Sequence, residues 1–96
     1  SSSEIKISCD DAQKFKVVSE VVERVKADKS LGSVSTIDGA RVEVSETGWF
    51  LIRASNTTPK LSIRAEGIDE KERDLMLAEV RDILDDFEFL DLSPLG

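Results

Sequence analysis

Trp49-Phe50-Leu51-Ile52-Arg53-Ala54-Ser55-Asn56-Thr57-Thr58-Pro59-Lys60-Leu61-Ser62-Ile63-Arg64-Ala65-Glu66 is the stretch that decides the fold. It opens on a continuous apolar run, Trp49 to Ile52, as expected of a central strand covered on both faces, at least locally. Ser55 to Pro59 then interrupts the run with turn-forming residues. From Lys60 to Glu66 strict alternation resumes, with Leu61, Ile63 and Ala65 on one side and Ser62 and Arg64 on the other. That two-residue period belongs to a half-buried strand. Two strands joined by so short a bend pair antiparallel.

Toward the N-terminus, Glu46-Thr47-Gly48 forms another turn. Before it, Ala40 to Ser45 places Val42 and Val44 on one face and Arg41 and Glu43 on the other. Asp38-Gly39 joins this strand to Ser33–Ile37 as a short hairpin signal, because both residue types tolerate positive φ. Upstream, Phe15, Val18, Val22 and Val25 recur at helical spacing, and Val17 and Val21 widen the stripe. The spacing predicts a helix over 11–27, with Asp10 as N-cap, Gln13 in capping-box position, and Asp28-Lys29-Ser30 and Gly32 ending it. Its valines are weak helix formers, so packing must support it. Glu4 to Ser8 alternates and reads as a first strand. Ser1-Ser2-Ser3 carries no structural signal and reads as a linker end or an appended remnant.

Toward the C-terminus, Asp69 is a second N-cap with Glu72 three residues on. Met76, Val80, Ile83 and Phe87, joined by Leu77 and Leu84, mark a helix running to about Phe87. Phe89, Leu90 and Leu92 in the tail are expected to pack back on the body. The predicted order is β-α-β-β-β-β-α. It implies one α+β domain over residues 1–96, an antiparallel sheet of four to five strands with both helices on one face.

Composition bounds the function. The chain has 96 residues, a net charge of −7, no histidine and one cysteine. The acidity argues against nucleic acid and anionic membranes as partners. No apolar run is long enough to cross a bilayer, and a cytoplasmic setting is expected. The missing histidine removes the commonest general base and metal ligand. Cys9 has no partner for a disulfide. It stands near the dipole of the first helix, which would lower its pKa, but with no base nearby it is read as a core or boundary residue. Asp82, Asp85, Asp86 and Asp91 lack the alternation of a calcium loop and read as a solvated helix face. Trp49 reads as a core or rim residue rather than a sugar platform.

Charge is unevenly spread. From Thr47 to Ala65 there are three basic residues, Arg53, Lys60 and Arg64, and no acidic ones, leaving 10 of the 13 basic and all 20 acidic residues elsewhere. Within that acid-free segment lies Arg53-Ala54-Ser55-Asn56-Thr57-Thr58-Pro59. Phosphate needs several converging donors and a positive charge. Arg53 offers a planar guanidinium; Ser55, Thr57 and Thr58 offer hydroxyls; Asn56 offers an amide; and a turn can aim backbone N–H groups inward as an anion nest. Arg64, on the adjoining strand, is placed to add a second charge. On composition alone, however, the same residues also describe an ordinary inter-strand turn.

The stretch Arg53 to Pro59 resembles the phosphate-contacting signature of the α-D-phosphohexomutase superfamily, an Arg-x-Ser-(Asn/Gly)-Thr-x-Pro pattern in its last domain. Asp38-Gly39-x-Arg41-Val42 and Gly48-Trp49-Phe50-Leu51-Ile52-Arg53 resemble the same family's hairpin, so the likeness covers nearly the whole chain. It implies a C-terminal, TATA-binding-protein-like fourth domain. Arg53, Ser55, Asn56 and Thr57 would hold the non-reacting phosphate of a mannose or glucose 1- or 6-phosphate, with Thr58 and Arg64 in support. Thr58 stands where many relatives have glutamate. Asn56 in place of glycine is similar to the phosphomannomutase/phosphoglucomutase branch rather than phosphoglucosamine mutases. The resemblance further implies a phosphoserine and a Mg²⁺ in other domains of the same enzyme, no catalytic or metal-binding residue in this one, and a lid-like closure. Two alternatives stand beside it: a phosphoglucosamine mutase C-terminal domain, and a stand-alone α+β protein-interaction module.

Overall fold

The computed structural model describes residues 2–28, 30–37 and 39–96. Strand β1 (Ser2–Ser8) leads into helix α1 (Asp11–Ala27). Four strands follow: β2 (Ser33–Ser35), β3 (Ala40–Glu43), β4 (Trp49–Ala54) and β5 (Lys60–Glu66). Helix α2 (Glu70–Leu84) and a 3₁₀ turn at Ser93–Leu95 complete the chain. The strands form one antiparallel sheet in the order β1-β5-β4-β3-β2, so the meander is as expected and β1 adds to the free edge of β5. Both helices pack on one face, α1 against β3, β4 and β5 and α2 against β4 and β5.

The core lies between that face and the helices. Phe50, Ile52, Leu61, Ile63, Ala65, Ala40 and Val42 are fully buried from the sheet side, facing Val17, Val21 and Val25 of α1 and Met76, Val80, Ile83 and Leu84 of α2. Each large aliphatic or aromatic side chain removed from water in this way stabilises the fold by about 1.5–3 kcal/mol. The apolar run of β4 is covered unequally. Phe50 and Ile52 are buried under the helices, whereas Trp49 and Leu51 are half-buried on the opposite, open face. There the Arg41 guanidinium stacks on the Trp49 ring, 3.9 Å from its centroid, and supplies the cover that no helix provides.

Several boundaries and faces differ from the sequence expectation. Ser2 and Ser3, read as linker, pair with Glu66 and Ala65 in β1. Strands β2 and β3 stop at Ser35 and Glu43, short of Ile37 and Ser45. Asp38 and Lys29 lie outside the described residues. A two-residue turn at 38–39 would set Ile37 opposite Ala40, but the ladder pairs Ser35 with Arg41 and Val34 with Val42, a register one residue away. The side-chain period of two makes register follow the buried face. Val42 goes inward with Val34 beside it, and Ile37 is left 90% exposed on a wider connection.

Helix α1 has its predicted bounds but is rotated. Its buried line is Lys14, Val17, Val21 and Val25, while Val18 and Val22 are half-buried and Phe15 is 59% exposed. Asp10 caps this helix through its backbone carbonyl, which accepts from Gln13 N and Lys14 N, not through a side-chain capping box. Helix α2 ends at Leu84 rather than Phe87, with the Asp85 N–H bonded to the Arg81 carbonyl. Phe87 packs against the core edge, and Leu90, Leu92 and Leu95 are buried. Phe89, expected to pack back, is exposed and touches Phe87 edge-on.

The α2 cap does form. The Asp69 carboxylate accepts from Glu72 N at 2.9 Å. The Glu72 carboxylate then reaches beyond a simple capping box, accepting from Ile68 N (2.7 Å), Thr47 Oγ1 (2.6 Å) and Ser45 Oγ (3.0 Å), so one side chain ties the β3–β4 turn to the start of α2. The Thr47 hydroxyl and then the Ile68 N–H hold its carboxyl below the ordinary value of 4.5. Its contribution to stability is therefore complete above about pH 4.5 and is lost as the pH falls through the lower, folded value. We expect Glu72→Gln to flatten the acid limb of a Tm-against-pH curve while leaving its neutral limb parallel to that of the parent chain. An unchanged acid limb would remove Glu72 from this role.

Candidate functional site

The bend between β4 and β5 is built by its own side chains. Ser55 N donates to Lys60 O at 2.9 Å, closing the base of the bend, and Lys60 N donates to Thr58 O at 2.8 Å. The Ser55 hydroxyl accepts from Thr58 N at 3.3 Å and lies 2.8 Å from the Thr58 hydroxyl. This is the local side-chain-to-backbone bonding that serine and threonine offer at turns. Of the two hydroxyl protons, one serves the Ser55–Thr58 bond and the other remains available to an outside acceptor. Pro59 lends its carbonyl to Cys9 N at 2.9 Å, which joins the bend to the end of β1.

Asn56 and Thr57 form the exposed crest. Among the described residues nothing accepts from their backbone N–H groups, and their side chains make no internal hydrogen bond. The crest therefore presents unengaged backbone N–H groups, the Asn56 amide and the Thr57 hydroxyl to solvent. Arg53 and Asn56 line one open depression of about 290 Å³, together with Ala54, Gly39, Phe15 and Val18. Gly39 carries a φ of +129°, and a β-carbon there would come within 2.5 Å of Ile52 O and 2.9 Å of Arg53 Cβ. The β2–β3 connection thus presses directly on the backbone that launches Arg53.

Arg53 sits across from Ser62 on the open face of the sheet. Its guanidinium extends toward β1, where Nη2 lies 3.9 Å from Glu4 Oε2, and that same oxygen accepts from Ser62 Oγ at 3.0 Å. Both partners are nearly half-exposed, so this loose ion pair contributes little to stability. A dianion at the bend could therefore recruit the guanidinium. Arg64 stands across from Leu51 and faces Glu4 in β1. It shares the face of Arg53 on the diagonal, one step further from the bend. The bend thus carries Ser55, Asn56, Thr57 and Thr58; Arg53 shares a depression with Asn56 while its guanidinium turns toward Glu4, and Arg64 is set apart from them.

Two residues escaped the sequence reading. Glu4, the carboxylate nearest Arg53, is visible only once β1 is known to pair with β5. Lys14 is buried, and its ammonium donates to Thr58 O at 2.9 Å. Its signal was present, since it precedes Val17 and Val18 by three and four residues and so falls on the helix's inward side. Cys9 is the core residue that the sequence reading made it, 4% exposed. Burial first, and Asp10 second, push its thiol above the ordinary value of 9.0, so the helix dipole does not make it reactive. Asp82 and Asp86 face Arg24 of α1, Asp82 at 3.8 Å, rather than solvent alone. Among the described residues no group of three or more His, Cys, Asp or Glu side chains could hold a metal ion.

Residues 4–83 match the family described as phosphoglucomutase/phosphomannomutase, C-terminal domain. Among similar proteins, the phosphomannomutase/phosphoglucomutase of Pseudomonas aeruginosa is 42% identical over 72 residues, which is 75% of this chain and 15% of that protein. A phosphopentomutase of Thermococcus kodakarensis is 39% identical over 70 residues, 71% of this chain and 16% of the relative. A crystal structure of a phosphoglucomutase/phosphomannomutase family protein from Burkholderia thailandensis superposes with a TM-score of 0.70 and 29% identity, over 93% of this chain and 18% of that one. The chain spans about a sixth of the length of these mutases. It belongs to the phosphoglucomutase/phosphomannomutase C-terminal domain family.

Proposed function

We propose that this chain is the substrate phosphate-binding domain of a phosphomannomutase/phosphoglucomutase catalysing reversible 1-/6-phosphoryl transfer on a hexose phosphate. The observation that carries the reading is the crest at Asn56 and Thr57, whose backbone N–H groups have no acceptor among the described residues, with Arg53 sharing a depression with Asn56 and the Lys14 ammonium bonded to Thr58 O behind. Such a cradle fits the phosphate that is not reacting. Held by several donors, that group orients the sugar so the other end meets the transferring machinery, and positioning of this kind can supply much of the barrier reduction. Arg64, diagonal to Arg53, adds charge to the approach rather than to the cradle. The domain closes over the sugar as a lid, and the reacting phosphoserine and Mg²⁺ belong to other domains of the same enzyme.

Asn56 supports the mannose/glucose branch, since the resemblance associates glycine there with phosphoglucosamine mutases. The test is a titration of the ¹⁵N-labelled chain with glucose 6-phosphate, mannose 6-phosphate and inorganic phosphate. The amides of residues 53–58 are expected to shift selectively at millimolar ligand, with all three ligands acting on the same set. Shifts spread evenly over the sheet, or none at tens of millimolar, would refute the cradle.

A further inference from the structure

Lys14 is the unusual group in this fold. Among the described residues it and Ser62 are the buried polar side chains, and Lys14 is only 4% exposed. An ammonium leaves water at considerable cost unless its donors are used. Here they are used: Nζ donates to Thr58 O at 2.9 Å, lies 2.8 Å from Asp11 Oδ1, and stands 5.2 Å from the centroid of the Phe15 ring. An apolar residue would fill the same place in the α1 line above Val17 without that cost. The lysine's distinct contribution is its grip on the bend.

The Thr58 carbonyl receives two donors, Lys14 Nζ and Lys60 N. Both hold its oxygen inward, toward α1. A carbonyl oxygen turned to a bound anion would repel it, and these two bonds keep this one engaged within the fold. The same ammonium also places a positive charge one residue behind the crest, partly offset by the Asp11 carboxylate 2.8 Å away.

We infer that Lys14 is a positioning residue for the anion cradle, orienting the Thr58 carbonyl from helix α1 and raising the potential at Asn56 and Thr57. The inference rests on the reading of the 53–58 bend as a phosphate site. It assigns Lys14 no contact with the phosphate itself.

The experiment compares the parent chain with Lys14→Met, Lys14→Arg and Asp11→Asn, each titrated with inorganic phosphate by ¹H–¹⁵N NMR, with ligand-free thermal unfolding recorded alongside. Lys14→Met keeps an unbranched stem that ends one atom short of Nζ, and in the ligand-free state it should move the Thr58 carbonyl ¹³C resonance and the Lys60 amide. Its phosphate Kd should rise about tenfold, the loss expected for one charge-linked hydrogen bond. Lys14→Arg, which keeps charge and donors, should stay within roughly threefold of the parent. Asp11→Asn removes the neutralising carboxylate and should tighten phosphate binding about twofold. Parent-like phosphate affinity in folded Lys14→Met overturns the inference. If Lys14→Met does not fold, Asp11→Asn decides: tighter binding supports the role and unchanged binding overturns it. If the parent chain itself gives no selective response at residues 53–58, the phosphate reading fails first, and this inference fails with it.

Discussion

Arg53→Ala, placed in a phosphohexomutase that carries this domain, is expected to lower kcat/KM for hexose phosphate by roughly 10- to 100-fold, with most of the loss in KM. The magnitude follows from removing a charged donor from a phosphate, about 1.5–3 kcal/mol. The partition follows from the role: a phosphate that does not react is held equally in the ground and transition states, and loss of such uniform binding raises KM before it lowers kcat. The fold should survive, because Arg53 is on the open face and its pairing with Glu4, at 3.9 Å between half-exposed groups, is loose. Arg53→Lys should fall between the two, keeping charge but losing the planar fork. Steady-state kinetics with an unchanged kcat/KM for Arg53→Ala would remove Arg53 from the site, and a loss in kcat alone would move it to the chemistry.

Gly39→Ala should have the largest structural effect of any single-methyl change near the site. The backbone at Gly39 has a φ of +129°, which L-residues rarely adopt, and the new β-carbon would meet the Ile52 carbonyl at 2.5 Å and Arg53 Cβ at 2.9 Å. Both contacts involve strand β4 at the centre of the sheet, which has no room to retreat without disturbing Phe50 and Ile52. Strain in the backbone and overpacking together should cost about 2–5 kcal/mol. In a domain of this size that corresponds to a fall in Tm of roughly 10 °C or more. Differential scanning calorimetry checks the first part, and the phosphate Kd of the surviving folded protein checks the second, since Arg53 is displaced with its strand. A Tm within about 2 °C of the parent would mean that the connection yields, and that it does not brace the site.

How much of this was legible beforehand depended on which interactions are local. The alternation at Lys60–Glu66 and the unbroken run at Trp49–Ile52 named two neighbouring strands correctly, because a period of two needs no partner to be visible. The α1 bounds were legible for the same reason. Its orientation was not, because Phe15 and Val17 are both apolar and only the sheet decides which turns inward. The β2–β3 register was hidden because Asp38-Gly39 supports more than one loop length, and the burial of Val42 makes the choice. The bend itself was legible from its turn-forming residues, Ser55 to Pro59, whereas its reading as an anion site came from the family resemblance and not from composition. The groups that act on it from a distance, Glu4 from β1 and Lys14 from α1, required the β1–β5 pairing and the helix rotation. Long-range contacts bring a carboxylate and an ammonium to the same short segment, and neither carries a signature of its own.

The stacking of Arg41 on Trp49 has a practical corollary. The chain has one tryptophan and no tyrosine, so its near-ultraviolet emission comes almost entirely from a single indole. That indole sits at the opposite end of β4 from Ala54, beside the turn clasped by Glu72. Its fluorescence is therefore a gauge of whether the far end of the sheet is assembled, while a ligand at Asn56 should leave it dark to the event. Spectral changes on acidification and resonance changes on adding phosphate can then be recorded on one sample as two independent channels.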